Sequence, residues 1–222
     1  MPGAVQAEGA AAVWNLNMGG GAANTGVENA DATDFLSMNF QCGGMGGHPR
    51  HDGMSATAYP AGVKAIAIEV TEALTPLVFW KRALRPDSGG AGKYRGGLGQ
   101  LIEVGNREQT PFALFAAFQR MAYPARGLNG GDCGAPGRFG LKSGAPLGSS
   151  GRQIIPGDDR LVVEIPGGGG LGNPDEREPA DVLRDVVNGM VSREAAREVY
   201  KVEITDDFTI DEEAMRALRQ AN

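Results

Sequence analysis

One short loop holds the first residues that could do chemistry. The chain has two histidines, His48 and His51, and Asp52 follows the second directly. Imidazole and carboxylate groups suit Zn, Mn or Fe, so His48 and His51 are candidate metal ligands. An Asp-Gly turn needs no metal to explain it, however. We therefore favour a loop without metal, in which Asp52 is a candidate catalytic residue and Arg50 helps to bind substrate in a charged cleft.

A second loop places charged residues between glycines. Six residues of the range 89–99 are glycine, and Lys93 and Arg95 lie among them. An arginine in such a loop can hold a carboxylate or phosphate through two hydrogen bonds. Arg95 is therefore a candidate catalytic residue, and Arg85 and Lys93 are candidates for substrate binding. The alternative, which the sequence favours slightly, is that an Arg85–Asp87 pair, or Arg95 with another acid, fixes the shape of the loop.

Two glycine motifs resemble phosphate-binding loops, but their context argues against that function. Residues 167–172 match G-x-G-x-x-G after a predicted strand, yet Pro174 and Pro179 delay the helix that a dinucleotide site requires. Residues 89–93 resemble a P-loop, but Tyr94 replaces the Ser or Thr that would bind Mg²⁺. Tight turns, where backbone approaches backbone, are the simpler interpretation.

Strands must position these loops, because apolar and β-branched runs dominate the first part of the chain. Val13 and Leu16 would anchor the first strand, and Ile66, Ile68 and Val70 would share one face of the third. A strand and a helix both remain possible for residues 112–120, and residues 127–151 have loop composition. The predicted strands are residues 11–18, 35–42, 63–70, 77–84, 98–104 and 160–165.

The last part of the chain has helical patterns instead. A helix is predicted to begin near Pro179, with an apolar stripe of Val182, Leu183, Val186, Val187 and Met190. Ser192 is predicted to cap a second helix through Tyr200, and Thr209 with Glu212 to form the capping box of a third. Strands followed by helices predict an α+β fold. We expect a β-rich portion over residues 1–174, with a mixed or antiparallel sheet and glycine-rich loops, and a helical segment over residues 175–222 that packs on it.

Composition narrows the function classes. The 222 residues include 35 glycines without a collagen repeat, and the formal net charge is −6. Lys and Arg are scattered, so no basic stripe for nucleic acid is present. No apolar run reaches the roughly 20 residues of a membrane span, and no signal peptide is recognisable. Two distant cysteines favour a reducing compartment. We expect a cytoplasmic protein that binds neither nucleic acid nor membrane.

Several long motifs together resemble one family. They are Gly43-Gly-Met-Gly-Gly47 with Asp52-Gly53, the run from Arg85 to Gly99, Ile165-Pro-Gly-Gly-Gly-Gly-Leu-Gly-Asn-Pro174, Asp181-Val-Leu-Arg-Asp-Val and Ser192-Arg-Glu-Ala-Ala. In this order they resemble the hydantoinase B/5-oxoprolinase family over essentially the whole chain. Family members are longer, and the chain resembles their C-terminal part.

The resemblance implies a B-type subunit of an ATP-dependent enzyme that opens cyclic amides such as hydantoin or 5-oxoproline. It implies an A-type partner subunit that handles ATP with Mg²⁺, and the N-terminal part of the B-type subunit as a further partner. Any divalent metal is expected outside this chain. A related ATP-dependent carboxylase for acetone or acetophenone is the close alternative, and a scaffold without catalytic function is the second.

Overall fold

The computed structural model describes residues 5–10, 14–28, 32–57 and 66–220 of the chain. Strands dominate up to residue 164, and short helices follow. The strands are β1 (Trp14–Gly20), β2 (Phe35–Gln41), β3 (Leu77–Leu84), β4 (Gln100–Asn106), β5 (Phe112–Ala116), β6 (Arg138–Leu141), β7 (Gly151–Ile155) and β8 (Leu161–Glu164). The helices are α1 (Ala22–Thr25), α2 (Ile68–Leu74), a 3₁₀ turn (Pro174–Glu176), α3 (Pro179–Val187), α4 (Arg193–Glu198) and α5 (Glu212–Gln220).

The eight strands form two four-stranded sheets. The first has the order β2-β1-β5-β7 and the second the order β3-β4-β8-β6. Every pairing between neighbouring strands is antiparallel. The fold is therefore α+β with antiparallel sheets, as the order of predicted elements indicated.

One apolar cluster joins the inner faces of the two sheets. Trp14, Leu16 and Met18 alternate along β1 and are buried, and Ile102 and Val104 do the same along β4. Alternate residues of a strand point to the same face, so this pattern buries one face of each sheet. Leu16 is fully buried and anchors β1 as predicted, whereas Val13 lies outside the described residues.

Glycine-rich segments pack against one another beside the two sheets. We call residues 43–47, 89–99, 127–137 and 166–172 the glycine layer. In its central segment, six consecutive N–H groups, from Gly167 to Gly172, each donate a hydrogen bond to a carbonyl oxygen of a surrounding segment. The acceptors lie at residues 135, 97 and 8, and then at 132, 94 and 128.

The fourth and fifth of these N–H groups therefore donate to the same neighbouring segments as the first and second. A repeat of three residues is expected for a chain with the threefold symmetry of a polyproline-II helix. Such packing leaves no room for side chains at the axis. A Cβ atom on Gly168 would overlap the carbonyl group of Met45, and one on Gly96 would overlap that of Gly168. The glycine excess therefore serves close backbone packing, as the sequence interpretation proposed, but residues 167–172 bond to surrounding segments rather than closing a tight turn.

The structure corrects two element predictions. The strand predicted over residues 63–70 is wrong where it can be judged, because residues 68–74 form α2 and residues 63–65 lie outside the described residues. Thr71 is the buried residue of α2, and Val70 and Leu74 are exposed, so the alternation at 66, 68 and 70 does not mark a buried face. The loop assignment of residues 127–151 also missed β6, and β7 was not predicted.

Residues 112–120, which the sequence left open, begin with a strand. Phe112 and Leu114 are fully buried in β5, which pairs with β1 and β7. The strand ends at Ala116, and Phe118 then stacks on Trp14 with ring centroids 4.3 Å apart. Phe112 and Phe118, six residues apart, thus join the same apolar cluster without forming a helix.

The C-terminal helices have a second apolar cluster, with Val182, Val186, Ala196 and Tyr200 among its buried members. The predicted cap of the second helix is confirmed, since the Ser192 hydroxyl accepts a hydrogen bond from the N–H of Ala195. The capping box predicted at Thr209 is wrong. The carboxylate of Asp211 accepts the N–H groups of Glu213 and Ala214 instead, because α5 begins at Glu212.

Candidate functional site

A buried ion-pair network joins the glycine layer to the C-terminal helices. Arg177, at the end of the 3₁₀ turn, donates from Nη1 and Nη2 to the two oxygens of Asp52, both at 2.7 Å. Its Nη2 also lies 2.7 Å from Oδ2 of Asp185 on α3. Arg177 is 2% exposed, so this bidentate pair lies almost wholly away from water. We call Asp52, Arg95, Arg177 and Asp185 the buried network.

Arg95 completes the network from the glycine-rich loop. Its Nε lies 3.1 Å from Oδ2 of Asp185, and its backbone N–H donates to Oδ1 of Asp52 at 2.8 Å. Its Nη1 donates to the carbonyl of Gly96 at 2.7 Å. The side chain of Asp52 remains 24% exposed, whereas the side chains of Arg95 and Asp185 are nearly buried. Two arginines and two carboxylates therefore balance in charge.

The network perturbs the acidity of its members. Burial alone would raise the pKa of Asp52, but the hydrogen bonds and charge of Arg177, with the charge of Arg95, outweigh burial and hold the pKa below its ordinary value. Burial would lower the pKa of Arg177, yet Asp52 and Asp185 raise it above its ordinary value. Burial raises the pKa of the neighbouring Tyr200. Asp52 is thus an ionised carboxylate, without the raised pKa of a carboxyl group that acts as a general base or acid near neutral pH.

The structure therefore brings together two of the predicted site residues, Asp52 and Arg95, and gives both of them structural partners. The contact between Arg95 and Asp185 matches the alternative interpretation of the sequence, in which Arg95 pairs with an acid and fixes the shape of the loop. Their catalytic role stays a prediction. The arrangement of the network suits it to hold elements in place, since its two arginines and two carboxylates pair with one another across separate elements.

The histidine loop lies next to the network but faces outward. His48 and His51 form a β-bridge with each other, and their rings stack with centroids 4.4 Å apart. His48 Nδ1 accepts the N–H of Arg50 at 3.3 Å, and Arg50 is exposed. Within the described residues, no three side chains of His, Cys, Asp or Glu are close enough to hold a metal ion together. The preference for a histidine loop without metal stays a prediction.

The two remaining predicted residues lie apart from each other. Arg85 pairs with Glu164 at 2.7 Å rather than with Asp87, and it also donates to the carbonyl of Pro136 at 2.8 Å. Burial lowers the pKa of Arg85. Lys93 forms an exposed pair with Glu176 at 3.4 Å. Both cations thus have structural partners of their own, and substrate binding by them stays a prediction as well.

Sequence reasoning missed Arg177 and Asp185, although one signal was available. Asp185 follows Val182 by three residues and precedes Val186, so helical periodicity places its carboxylate on the buried face of α3. An acid on a buried face needs a cationic partner. An apolar stripe alone does not reveal such a residue, because the stripe is defined by hydrophobic positions.

Two cavities among the described residues lie away from the network. One of about 410 Å³ lies on the outer face of the second sheet, lined by residues that include Glu103, Arg138 and Lys142. Another, of about 200 Å³, lies between the glycine layer and α4, lined by residues that include Cys133 and Tyr200. No predicted site residue lines either of them. No helix within the described part of the chain is long and apolar enough to cross a membrane.

The described part of the chain thus combines a pair of antiparallel sheets, a glycine layer and C-terminal helices fastened to that layer by buried charges. The sequence model of the hydantoinase B/oxoprolinase family matches residues 1–174. The chain belongs to this family, which confirms the resemblance seen in its motifs.

Individual relatives agree with this assignment. The chain is 33% identical over 195 residues to the B-type subunit of a putative D-/L-hydantoinase from a Pseudomonas species, a match that covers 84% of this chain and 32% of the relative. It is 39% identical over 158 residues to an uncharacterised protein of Methanocaldococcus jannaschii, covering 68% of this chain and 28% of the relative. The chain thus spans about a third of the length of these curated relatives.

Solved structures show the same relationship. The ATP-dependent caprolactamase of Pseudomonas jessenii matches 97% of this chain with a TM-score of 0.77 and 26% identity, and the match covers 38% of that chain. A nucleotide-free acetone carboxylase matches 96% of this chain with a TM-score of 0.73 and 26% identity, covering 33% of that chain. Both relatives contain this fold as one part of a longer polypeptide.

Proposed function

We propose that this chain serves as the C-terminal portion of a B-type subunit that, with an A-type partner, hydrolyses cyclic amides in an ATP-dependent reaction. The observation that carries the proposal is the family match over residues 1–174, on a fold shared with the ATP-dependent caprolactamase. Two relatives are named as the B-type subunit of a hydantoinase and the beta subunit of a caprolactamase, and these names describe amide-ring substrates and subunit assemblies. We place the assembly in the cytoplasm.

The chemistry explains why ATP is needed. A ring amide is stabilised by resonance, so its carbonyl carbon is a poor electrophile. Transfer of the γ-phosphoryl group of ATP to the carbonyl oxygen yields ADP and an activated ring, which water can attack. The adduct then breaks its ring C–N bond, with the protonated nitrogen as the leaving group, and becomes an open-chain acyl phosphate. A second water hydrolyses this acyl phosphate to the amino acid or its carbamoyl analogue and inorganic phosphate. In this scheme ATP and Mg²⁺ belong to the A-type partner, and any further divalent metal lies outside this chain.

The contribution of this chain is positional. The buried network fixes α3 to the loop that carries Arg95, and the glycine layer fixes that loop to the sheets. Enzymes that mainly orient reactants and stabilise developing charge need such rigid supports around the reacting groups. Asp52 and Arg95 act here by holding the loops that border the reaction site.

A carboxylase function is the second candidate. It is favoured by the structural match to acetone carboxylase and by 28% identity over 210 residues to the acetophenone carboxylase delta subunit of Aromatoleum aromaticum. Its chemistry also begins with activation of an oxygen by ATP. The two functions differ in the electrophile that is activated and in the product.

A reconstitution assay separates the candidates. The purified chain is combined with an A-type subunit, an N-terminal B-type portion, ATP and Mg²⁺, and then with 5-oxoproline, hydantoin, caprolactam, or acetone plus bicarbonate. We expect phosphate release that requires a ring amide and matches ring opening in stoichiometry. Turnover only with a ketone and bicarbonate would support the carboxylase. No turnover with any substrate, from a complex that does assemble, would assign the chain to a non-catalytic scaffold.

A further inference from the structure

The outer face of the first sheet is apolar at one end. Cross-strand pairing places Met38 opposite Asn17 and Phe40 opposite Asn15, so these four side chains share the face turned away from the core. Leu36 lies on the same face of β2 and is 70% exposed, and Met38 is 51% exposed. Large apolar side chains grouped on an exposed sheet face are characteristic of an interaction surface.

Two polar groups within this face lack partners. The side-chain oxygens of Asn15 and Asn17 are buried, and neither has a hydrogen-bond partner among the described residues. Buried amide groups are almost always hydrogen-bonded in complete structures. Their position between the exposed apolar residues indicates that their donors come from outside the described part of the chain.

The edge formed by β2 is also open. Apart from its pairing with β1, no backbone group of residues 36–41 hydrogen-bonds to another group in the described part of the chain. The strand is seven residues long and contains no charge, proline, glycine or bulge. An edge of this kind readily pairs with another strand.

The other three sheet edges are protected. β3 has a bulge between Phe79 and Lys81, and the N–H of Phe79 is taken by Glu72 of α2. β6 has four residues and carries Arg138. β7 begins with a glycine and carries Arg152. Charges, bulges and short strands are the usual protections of an edge, and among the four edges of the described sheets β2 alone lacks them.

We propose that β2 is the docking edge for a β-strand from the remaining portion of the B-type unit, the part of the relatives that this chain does not span. The inference rests on the proposed function, because it takes the B-type unit as the assembly. The match covers only 33% and 38% of the two solved relatives, so each of these polypeptides has a large amount of further chain in addition to this fold.

The chemistry of the occupant follows from the surface. It is an uncharged extended segment whose backbone pairs with residues 36–41. Its apolar side chains cover Leu36 and Met38, and the chain that continues from it crosses the sheet face and donates N–H or hydroxyl groups to the oxygens of Asn15 and Asn17. A second copy of this chain would offer the same open edge, and the oligomeric state of the chain alone distinguishes that occupant.

The test measures binding without turnover. The 222-residue chain is titrated with the portion of the Pseudomonas B-type hydantoinase subunit that lies outside the matched region, and the Kd is measured by calorimetry. Leu36→Glu and Met38→Glu are each expected to weaken binding by about tenfold or more, since each puts a charge in an apolar contact. Leu74→Glu is the matched control, because Leu74 is 77% exposed on α2, outside this face. The Kd of this variant is expected to equal that of the native chain.

Hydrogen exchange gives the second readout. Alternate amides of residues 36–41, those that point away from β1, are expected to gain protection in the complex, because pairing with the added strand engages them. The proposal is overturned if the native chain does not bind, if Leu36→Glu binds as tightly as the native chain, or if binding leaves these amides unprotected. Sedimentation that shows a dimer lost in Met38→Glu would assign the edge to a second copy instead. No ATP is present, so failure here is distinguishable from failure of the hydrolase proposal.

Discussion

Replacement of Arg177 by methionine tests the buried network most directly. The substitution keeps much of the side-chain volume and removes the guanidinium that contacts both oxygens of Asp52 and one of Asp185. Two carboxylates then face each other with only Arg95 to balance them. Removing one partner of a buried ion pair typically costs about 3–5 kcal/mol. Because the side chain of Asp52 is 24% exposed, water offsets part of this loss, and we expect about 3 kcal/mol.

The assay is chemical unfolding by urea at about pH 7, followed by circular dichroism, for the native chain and the variant. The matched control is Arg184→Met, which removes an exposed pair with Asp181 on α3. An exposed pair of this type contributes about 0.5 kcal/mol or less. A loss for Arg177→Met no larger than that of the control would refute the view that the network fastens the helical end to the glycine layer.

The pH dependence of the stability difference provides an independent check in the same experiment. The pKa of folded Asp52 lies below its ordinary value, so its contribution to stability is complete above the ordinary pKa of an aspartate and is lost as the pH falls through the folded pKa. Arg177→Met removes the main cause of the lowered pKa. The difference in stability between the native chain and the variant should therefore be large near neutral pH and shrink as Asp52 becomes protonated.

Three further predictions concern other parts of the chain. Gly168→Ala should prevent folding or cost several kcal/mol, since its Cβ meets backbone, whereas Gly140→Ala, with open space around it, should change the urea midpoint little. Hydrogen bonds from Arg126 lower the pKa of Glu8 to about 2, so the stabilising effect of Glu8 should be complete above about pH 4.5 and fade towards pH 2. The free energy of unfolding of Glu8→Gln should therefore differ from that of the native chain at neutral pH and match it at the acid end. Equilibrium dialysis should show no tight Zn²⁺ binding that depends on His48 and His51, and stoichiometric zinc lost on replacing either would contradict this.

The fold was predictable where strands alternate and where helices carry caps. Leu16, Ser192 and the run Leu77–Leu84 behaved as their patterns indicated, because burial and capping act over a few residues. The helix at 68–74 was not predictable from β-branched residues alone, since Thr71 is the only one of them that the fold buries. The pairing of β6 with β8 depends on contacts distant in sequence, which local composition does not reveal.

The site was predictable only in part. The charged loop pointed to Asp52 and Arg95, which do meet, but nothing local to either residue shows that Arg177 lies between Asp52 and Asp185. The contact with Asp52 spans 125 residues and forms only when the helical end folds back onto the loop, whereas the contact with Asp185 spans 8 residues within that end. The sequence therefore located half of the network and left its partners, and hence its role, to the tertiary structure.

The central glycine segment has a consequence for how such chains can change length. Each of its successive N–H groups is matched to an oxygen on a different neighbour, so loss or gain of one residue would turn every later donor towards the wrong neighbour at once. A substitution disturbs the packing at one position, whereas a shift of the segment by one residue disturbs the hydrogen bonds of every later position. Insertions and deletions that natural or designed variants tolerate should accordingly fall in the hairpins that join the strands, and the spacing of these glycines should stay fixed.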